Sequence, residues 1–295
     1  MISWSMAKSI THALVGIAVA QGQVNVDAPM GSPHWKADDP RAKIPWRIWL
    51  QMTDGQRYIE DFARNYDEND AFKKLYGPGT FDVAAFCAGL PLIHKPGTFW
   101  NYNSCALVLS ADALTRTIVP SPSSPEERRA AMLAWMHKVL LDVIGISDVQ
   151  PEFDASGLYY GSASFYATAR DFAKFGLLYL RDGVWDGQRI LPVGWVDFAR
   201  TQGPGTNADV YGAGWWITPK QGLGVPEGEA IVTGPQRDAF VAIGHEGQFI
   251  VVVPSKDLII VRLGLSGDEP ADWAANYDWL ARVGQAFPVV NPGTQ

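Results

Sequence analysis

Cysteine is nearly absent: Cys87 and Cys105 are the two in 295 residues. Their spacing fits no metal-binding pattern. Both are read as buried free thiols, since sequence alone gives no argument for a disulfide. Cationic charge is short as well. There are 24 Lys and Arg against 31 Asp and Glu, a formal charge of −7; such a surface repels phosphates, so no nucleic-acid partner is expected. No apolar run approaches the length needed to span a bilayer, so no transmembrane segment is expected. A Gly-x-Ser-x-Gly elbow and a phosphate-cradling glycine loop are both missing, which sets aside the α/β-hydrolase route and nucleotide-dependent chemistry. His245-Glu246 starts like a zincin His-Glu-x-x-His motif, but Phe249 fills its last place. Neither a metal nor an organic cofactor is therefore expected. Nothing in the sequence fixes a compartment or an oligomeric state.

What is present is an ordinary globular composition, 47% hydrophobic and 19% charged, in a chain long enough for one large domain or two lobes. Its most informative stretch comes first. Met6, Ile10, Leu14 and Ile17 recur at helical spacing, Val15 and Val19 make the opposite side apolar, and Gly22 closes the run. This predicts a deeply buried helix over the first 22 residues. Ser5 and Lys8 lie three apart at its start, on one face. A serine hydroxyl needs a neighbour to take its proton, and a helix N-terminus favours a developing oxyanion. Two plainer readings compete. A Ser-x-x-Lys pair arises by chance in a chain this long. Met1, a single Lys8, a short apolar run and Ala18-Val19-Ala20 also imitate a secretory leader with its cleavage site.

Along the chain, short helices are predicted over 46–52, 69–75 and 81–90, an apolar helix over 105–118, and helices over 126–144, 169–180 and 193–200. The charged stretch 56–80 is otherwise irregular. Residues 120–125 form a Pro- and Ser-rich linker, and Asp186-Gly187 marks a small hairpin. From Tyr211 the pattern turns to strands, at 215–217, 239–243, 249–253 and 258–263, followed by a last helix over 271–285. That order predicts an α+β fold: residues 1–22 as the nucleophile helix, 23–185 as a mostly helical lobe, and 186–295 as an antiparallel sheet with the C-terminal helix. A cleft would lie where the lobes meet.

Two later stretches join Ser5 and Lys8. Pro96-Gly97-Thr98-Phe99-Trp100-Asn101-Tyr102-Asn103-Ser104 sets a tyrosine in a polar loop ahead of a buried helix, and Gly244-His245-Glu246-Gly247-Gln248 places His and Gly at a strand end. Ser5-x-x-Lys8, Tyr102 and His245-x-Gly247, in this order, resemble the serine β-lactamase-related superfamily. Within it the nearest groups are the class C β-lactamases, the β-lactamase-like esterases and the 6-aminohexanoate-dimer hydrolases. The likeness runs over essentially the whole chain. It implies an antiparallel sheet flanked by helices and joined to a helical lobe, the architecture of the β-lactamases and penicillin-binding proteins. It also implies a serine hydrolase acting on a small ester or amide.

Carried over to these positions, Ser5 forms an acyl-enzyme. Lys8 either lowers the pKa of Ser5 or Tyr102 by its charge or accepts the proton itself. Tyr102 shares the base role, protonates the leaving group and later activates water. The N–H groups of Ser5 and Gln248 form the oxyanion hole. Gly247 lets the strand approach the substrate, and His245 lines the cleft. Trp4, Trp100, Trp215 and Trp216 are candidates for its walls, beside the commoner role of tryptophan in cores.

The sequence departs from the pattern in three places. The tyrosine motif commonly reads Tyr-x-Asn, whereas here Asn103 holds the second place and Ser104 the third; both are carried as candidate substrate-binding residues. His245 stands where class C enzymes usually carry Lys. Losing an amide donor and a fixed charge leans the reading toward short-chain esters or linear amides over β-lactams, with a D-amino-acid peptidase or a non-catalytic ligand-binding homologue as alternatives. Finally, a helix and two or three strands normally precede the nucleophile helix in this superfamily, and only Met1–Trp4 precede Ser5 here. The sheet is therefore expected to expose an edge.

Overall fold

The computed structural model describes residues 1–60, 65–206, 210–217, 238–267 and 269–290. Parts of the predicted irregular stretch 56–80 and of the predicted sheet region 186–295 lie outside these residues.

A single 3-10 turn, Trp4–Met6, feeds α1 (Ala7–Ala20). Every residue of α1 from Ala7 to Ala18 is buried, as expected of a helix apolar on all sides. Gly22, at φ 71°, ends it by donating to Val19 O at 2.9 Å. These residues lie at the centre of the core.

The helical lobe follows as α2 (Trp46–Leu50), α3 (Asp70–Tyr76), α4 (Val83–Gly89), α5 (Ser104–Ile118) and α6 (Pro125–Met136), the last widening into a π-helical turn at His137–Leu141. Capping explains several of these starts. Asn69, Asp82, Asn103 and Ser124 each accept a backbone N–H of the first turn, and Pro125 adds its preset φ to α6. α5 packs along α1, and Gly161 lies in the seam: a Cβ there would stand 2.4 Å from Ala111 Cβ and 2.9 Å from Thr11 Oγ1. The expectation of two free thiols is overturned. Cys87 on α4 and Cys105 on α5 form a disulfide with Cα atoms 5.1 Å apart, both fully buried. Eighteen residues separate them in sequence, and only the packing of α4 on α5 brings them together.

Strands β1 (Val149–Pro151) and β2 (Phe165–Ala167) pair antiparallel, α7 (Ala169–Leu180) follows from its Thr168 cap, and β3 (Val184–Trp185) and β4 (Gln188–Arg189) form the predicted hairpin before α8 (Trp195–Arg200). The sequence reading missed β1 and β2, which are three residues each and too short for alternation to register.

The C-terminal sheet is β5 (Phe240–Gly244), β6 (Gln248–Val253) and β7 (Leu258–Arg262), antiparallel in that order. Its faces alternate with period two. Phe240, Ala242, Ile250 and Val252 join the main core, where α7 packs; Val241, Ile243, Phe249, Val251 and Val253 meet Tyr277 and Leu280 of α9 (Pro270–Gln285). Burial on both faces is why these strands read as continuous apolar runs. Gly176 of α7 permits the close approach: a Cβ there would sit 3.0 Å from Ile250 Cγ2 and from Ile259 Cγ2. The predicted strand at 215–217 is reduced to two isolated bridges, Trp216 to Val241 and to Tyr211. Among the described residues β7 pairs only with β6. No helix of the described residues is long and apolar enough to cross a membrane.

Candidate active site

The turn that carries Ser5 is clamped on both sides before α1 begins. Ser3 N donates to Phe165 O at 2.8 Å and Phe165 N to Ser3 Oγ at 3.1 Å, tying the N-terminal residues to β2. On the other side Gly244 of β5 abuts the Ser3 carbonyl so closely that a Cβ would stand 2.2 Å from it. Trp4 is bent to φ 44°, a costly conformation for a non-glycine residue, and its indole Nε1 donates to Glu246 Oε2 at 2.9 Å. Ser5 is therefore presented on a turn fixed by two sheets.

Lys8 lies one turn on. Its Nζ donates to Ser5 Oγ at 2.7 Å and to Ser162 O at 3.0 Å, and lies 4.8 Å from the centre of the Tyr102 ring. The side chain is 1% exposed. Burial brings its pKa from 10.5 down to about 7; Glu60 opposes this as the nearby anion, and Lys74 adds to it as a like charge. At neutral pH a large share of Lys8 is a free amine beside the serine hydroxyl.

Tyr102 is held by an aromatic wall. It stacks on Trp216 with ring centres 5.2 Å apart and meets Tyr211 edge-on at 5.9 Å, and Trp100 closes on both from behind. The residue as a whole is half-buried. Here the expected electrostatics reverse. Burial, Glu60 and Tyr211 drive the phenol well above its ordinary range, with only its interaction with the Ser5 hydroxyl pulling the other way. Lys8 faces the ring and is not among the groups that lower the phenol's pKa, one of the roles the resemblance offers it; the other, that the lysine takes the proton itself, fits its own lowered pKa.

The remaining predicted residues divide. Ser104 opens α5 and donates to Glu60 Oε2 at 2.5 Å, which brings a carboxylate to the site. Asn103 faces away from any ligand: Oδ1 caps α5 by accepting from Cys105 N at 2.9 Å, Nδ2 donates to Asp54 Oδ1 at 3.1 Å, and its N donates to Met52 Sδ at 3.4 Å. It anchors the loop that carries Tyr102 and offers no amide to a substrate. His245, Glu246 and Gly247 form a tight turn at the end of β5, leading into β6, with the His245 ring edge-on to Trp4 at 5.5 Å. Gly247 has a backbone reason to be glycine. It has φ 77°, and a Cβ would lie 2.7 Å from both Arg262 Nη1 and Asn276 Nδ2. Gln248 begins β6 with its side chain turned inward: Oε1 accepts from Gly264 N at 3.0 Å, and Nε2 donates to the Gly264 carbonyl. Its side chain braces the β6–β7 junction, so only its backbone N–H could serve a ligand. Trp215 is fully buried against Phe175 and Tyr179 and belongs to the core, whereas Trp4, Trp100 and Trp216 surround Ser5 and Tyr102.

Three residues of this cluster had no signal in the sequence. Glu60 lies in the charged stretch read as irregular. Lys74 follows Lys73 and looks like half of a solvated pair. Ser162 sits in a run of small residues between Tyr160 and Phe165. Sequence spacing links none of them to Ser5; only the fold does.

No curated relative matches the sequence. Solved structures do. A Bacillus anthracis protein provisionally described as a 6-aminohexanoate-dimer hydrolase superposes with a TM-score of 0.71 at 19% identity, over 98% of this chain and 74% of its own. A β-lactamase from Mycobacterium bovis gives 0.60 at 16% identity over 97% and 85%, and a family VIII carboxylesterase 0.60 at 14% over 96% and 83%. At such identities the likeness is one of fold, helices packed on an antiparallel sheet. The sequence adds the family itself: residues 2–285 match the Beta-lactamase family model, and the chain belongs to that family.

Proposed function

We propose that this protein is a serine hydrolase that cleaves an ester or a linear amide through an acyl-enzyme on Ser5. The observation that carries the reading is the 2.7 Å contact between Lys8 Nζ and Ser5 Oγ, made by a buried lysine poised near pH 7. Ser5 Oγ adds to the substrate carbonyl carbon as its proton passes to the neutral Lys8 amine. The backbone N–H groups of Ser5 and Gln248 receive the oxyanion. As the carbon–leaving-group bond breaks, the departing oxygen or nitrogen takes a proton from the Tyr102 phenol, which Lys8 reprotonates. A phenol with a raised pKa suits this donor role and is a poor base, so Lys8 also accepts the proton of the deacylating water. Hydrolysis then restores Ser5.

The preference for esters and linear amides rests on what borders Ser5. His245 takes the place where a lysine would bind a lactam's carboxylate, and Asn103 is engaged by Asp54 and the α5 cap. Carboxylesterase and amidohydrolase activities are named among proteins of similar fold, at TM-scores of 0.60 and 0.50. The test is incubation with p-nitrophenyl butyrate, a 6-aminohexanoate dimer and a chromogenic cephalosporin side by side. Turnover of the ester or the linear amide well above the cephalosporin is expected. A ligand-binding homologue would release no nitrophenol and leave Ser5 unlabelled by a fluorophosphonate.

A further inference from the structure

Behind the nucleophile lies a second buried lysine that the acyl-transfer scheme leaves unused. Lys74 of α3 is 1% exposed, and its Nζ donates to Ser162 Oγ at 3.0 Å. Lys8 Nζ donates to the carbonyl oxygen of the same Ser162, also at 3.0 Å. Two amines from helices distant in sequence thus converge on one residue. The seat beneath them is rigid: Thr11 Oγ1 donates to Gly161 O at 2.6 Å, and Gly161 has no room for a Cβ against Ala111. The Tyr160 hydroxyl donates to Lys74 O at 2.7 Å, and the rings of Tyr58 and Tyr160 each lie 5.9 Å from Lys74 Nζ.

We infer that Lys74 is a positioning residue for the base of the reaction: held on Ser162, its positive charge faces Lys8 and keeps the Lys8 amine in its proton-accepting form, with Glu60 as the opposing charge. The inference rests on the acyl-transfer reading of Ser5 and Lys8. Burying an ammonium is costly, and at Lys74 desolvation outweighs the help of Glu60; an apolar side chain of the same length would avoid that cost in a purely structural role. A second charge has a use only if it acts on the first. The groups facing Lys8 are the Ser5 hydroxyl, the Tyr102 ring, the Ser162 carbonyl, Glu60 and Lys74; those facing Lys74 are Ser162, Tyr58, Tyr160 and Glu60. Tyr58 and Tyr102 stay neutral, since burial raises both phenols. Among the described residues, the side chains whose charge acts on Lys8 are Glu60, which favours its charged form, and Lys74, which opposes it. Lys74 itself carries its proton up to about pH 8, so it is charged over the range in which Lys8 titrates.

The test is the pH profile of Ser5 labelling by a fluorophosphonate, and of kcat/KM for p-nitrophenyl butyrate, in the parent protein and in Lys74→Met, Lys74→Arg and Glu60→Gln. The parent profile should rise through about pH 7. In Lys74→Met the rise should move alkaline by roughly half to one pH unit, cutting the rate at pH 6.5 several-fold, because a like charge has been removed. Above about pH 9, where Lys74 is neutral in the parent as well, the two profiles should merge. Lys74→Arg should restore the parent midpoint, and Glu60→Gln should move it acid. A Lys74→Met profile lowered evenly at every pH, with its midpoint unmoved, overturns the inference and leaves the hydrolase reading standing. If Lys74→Met does not fold, Lys74→Gln decides in its place, an unmoved midpoint overturning the inference. A folded parent protein whose Ser5 is unlabelled at every pH overturns both readings at once.

Discussion

Lys8 and His12 stand one turn apart on the same helix, and both are bases that burial has stripped of affinity for protons. Lys8 falls to about 7 and His12 to about 3. The outcomes differ because the surroundings differ. Around Lys8 are a hydroxyl that accepts its hydrogen bond, a carboxylate within electrostatic reach and a second lysine. Around His12 are Trp195, stacked at 4.7 Å, Phe198, and the Tyr179 hydroxyl at 2.8 Å from Nδ1, while Nε2 has no hydrogen-bond partner among the described residues. Desolvation alone thus makes a packing residue. Desolvation beside an acceptor and balanced charges makes a base that exchanges its proton near neutrality.

The sharpest way to break this comparison is to remove each base in turn. Lys8→Met should slow fluorophosphonate labelling of Ser5 by at least about 10³-fold, since it removes the amine that takes the hydroxyl's proton in this scheme. His12→Gln should leave labelling at pH 8 within a few-fold of the parent. A comparable loss in both variants would mean that the helix, and not the amine, is what matters. Tyr102→Phe comes next, with at least about a hundredfold loss of turnover. The loss should be greater for an amide than for p-nitrophenyl butyrate, whose leaving group needs no proton. Equal losses on the two substrates would return Tyr102 to the role of base.

Smaller effects test the packing half of the comparison. Between about pH 3 and 6.5 the unfolded chain binds a proton that His12 refuses in the folded state. Stability from this group is therefore complete above pH 6.5 and is lost as pH falls toward 3. Chemical denaturation across this window should show a shallower decline in His12→Gln than in the parent. Gly16→Ala, one turn beyond His12, would place a Cβ 2.3 Å from Trp195 Nε1. It should cost about 1–3 kcal/mol of stability by overpacking the α1–α8 contact, without moving the pH profile of Ser5 labelling.

The same helix shows what the sequence could and could not convey. Its burial was legible because apolar residues on all sides leave no solvent face. Ser5 and Lys8 were legible because three residues of helix bring two side chains together wherever the helix lies. Strands β5 to β7 were legible as runs of branched and aromatic residues. Lys74, Glu60 and Ser162 were not, because their meeting with Lys8 depends on how α3 and the β1–β2 connection pack on α1, and no local spacing encodes that. The sign of the Tyr102 shift was misread for a related reason. A cation was expected to act at the hydroxyl, whereas it faces the ring, and the depth of burial is a tertiary quantity. Cys87 and Cys105 gave no hint of their bond because helix pairing sets their distance. Asn103 looked like a substrate ligand and is instead a helix cap, a use that its place just before an apolar helix also allows.

The most direct test of the account is intact-protein mass spectrometry of the parent chain mixed with a fluorophosphonate between pH 5 and 9, with the adduct mapped by peptide digestion. One adduct on the peptide containing Ser5, formed at a rate whose midpoint lies near pH 7, is the expected result. A folded protein with no adduct, an adduct elsewhere, or a rate that climbs only near pH 10 as a tyrosine ionises would contradict it.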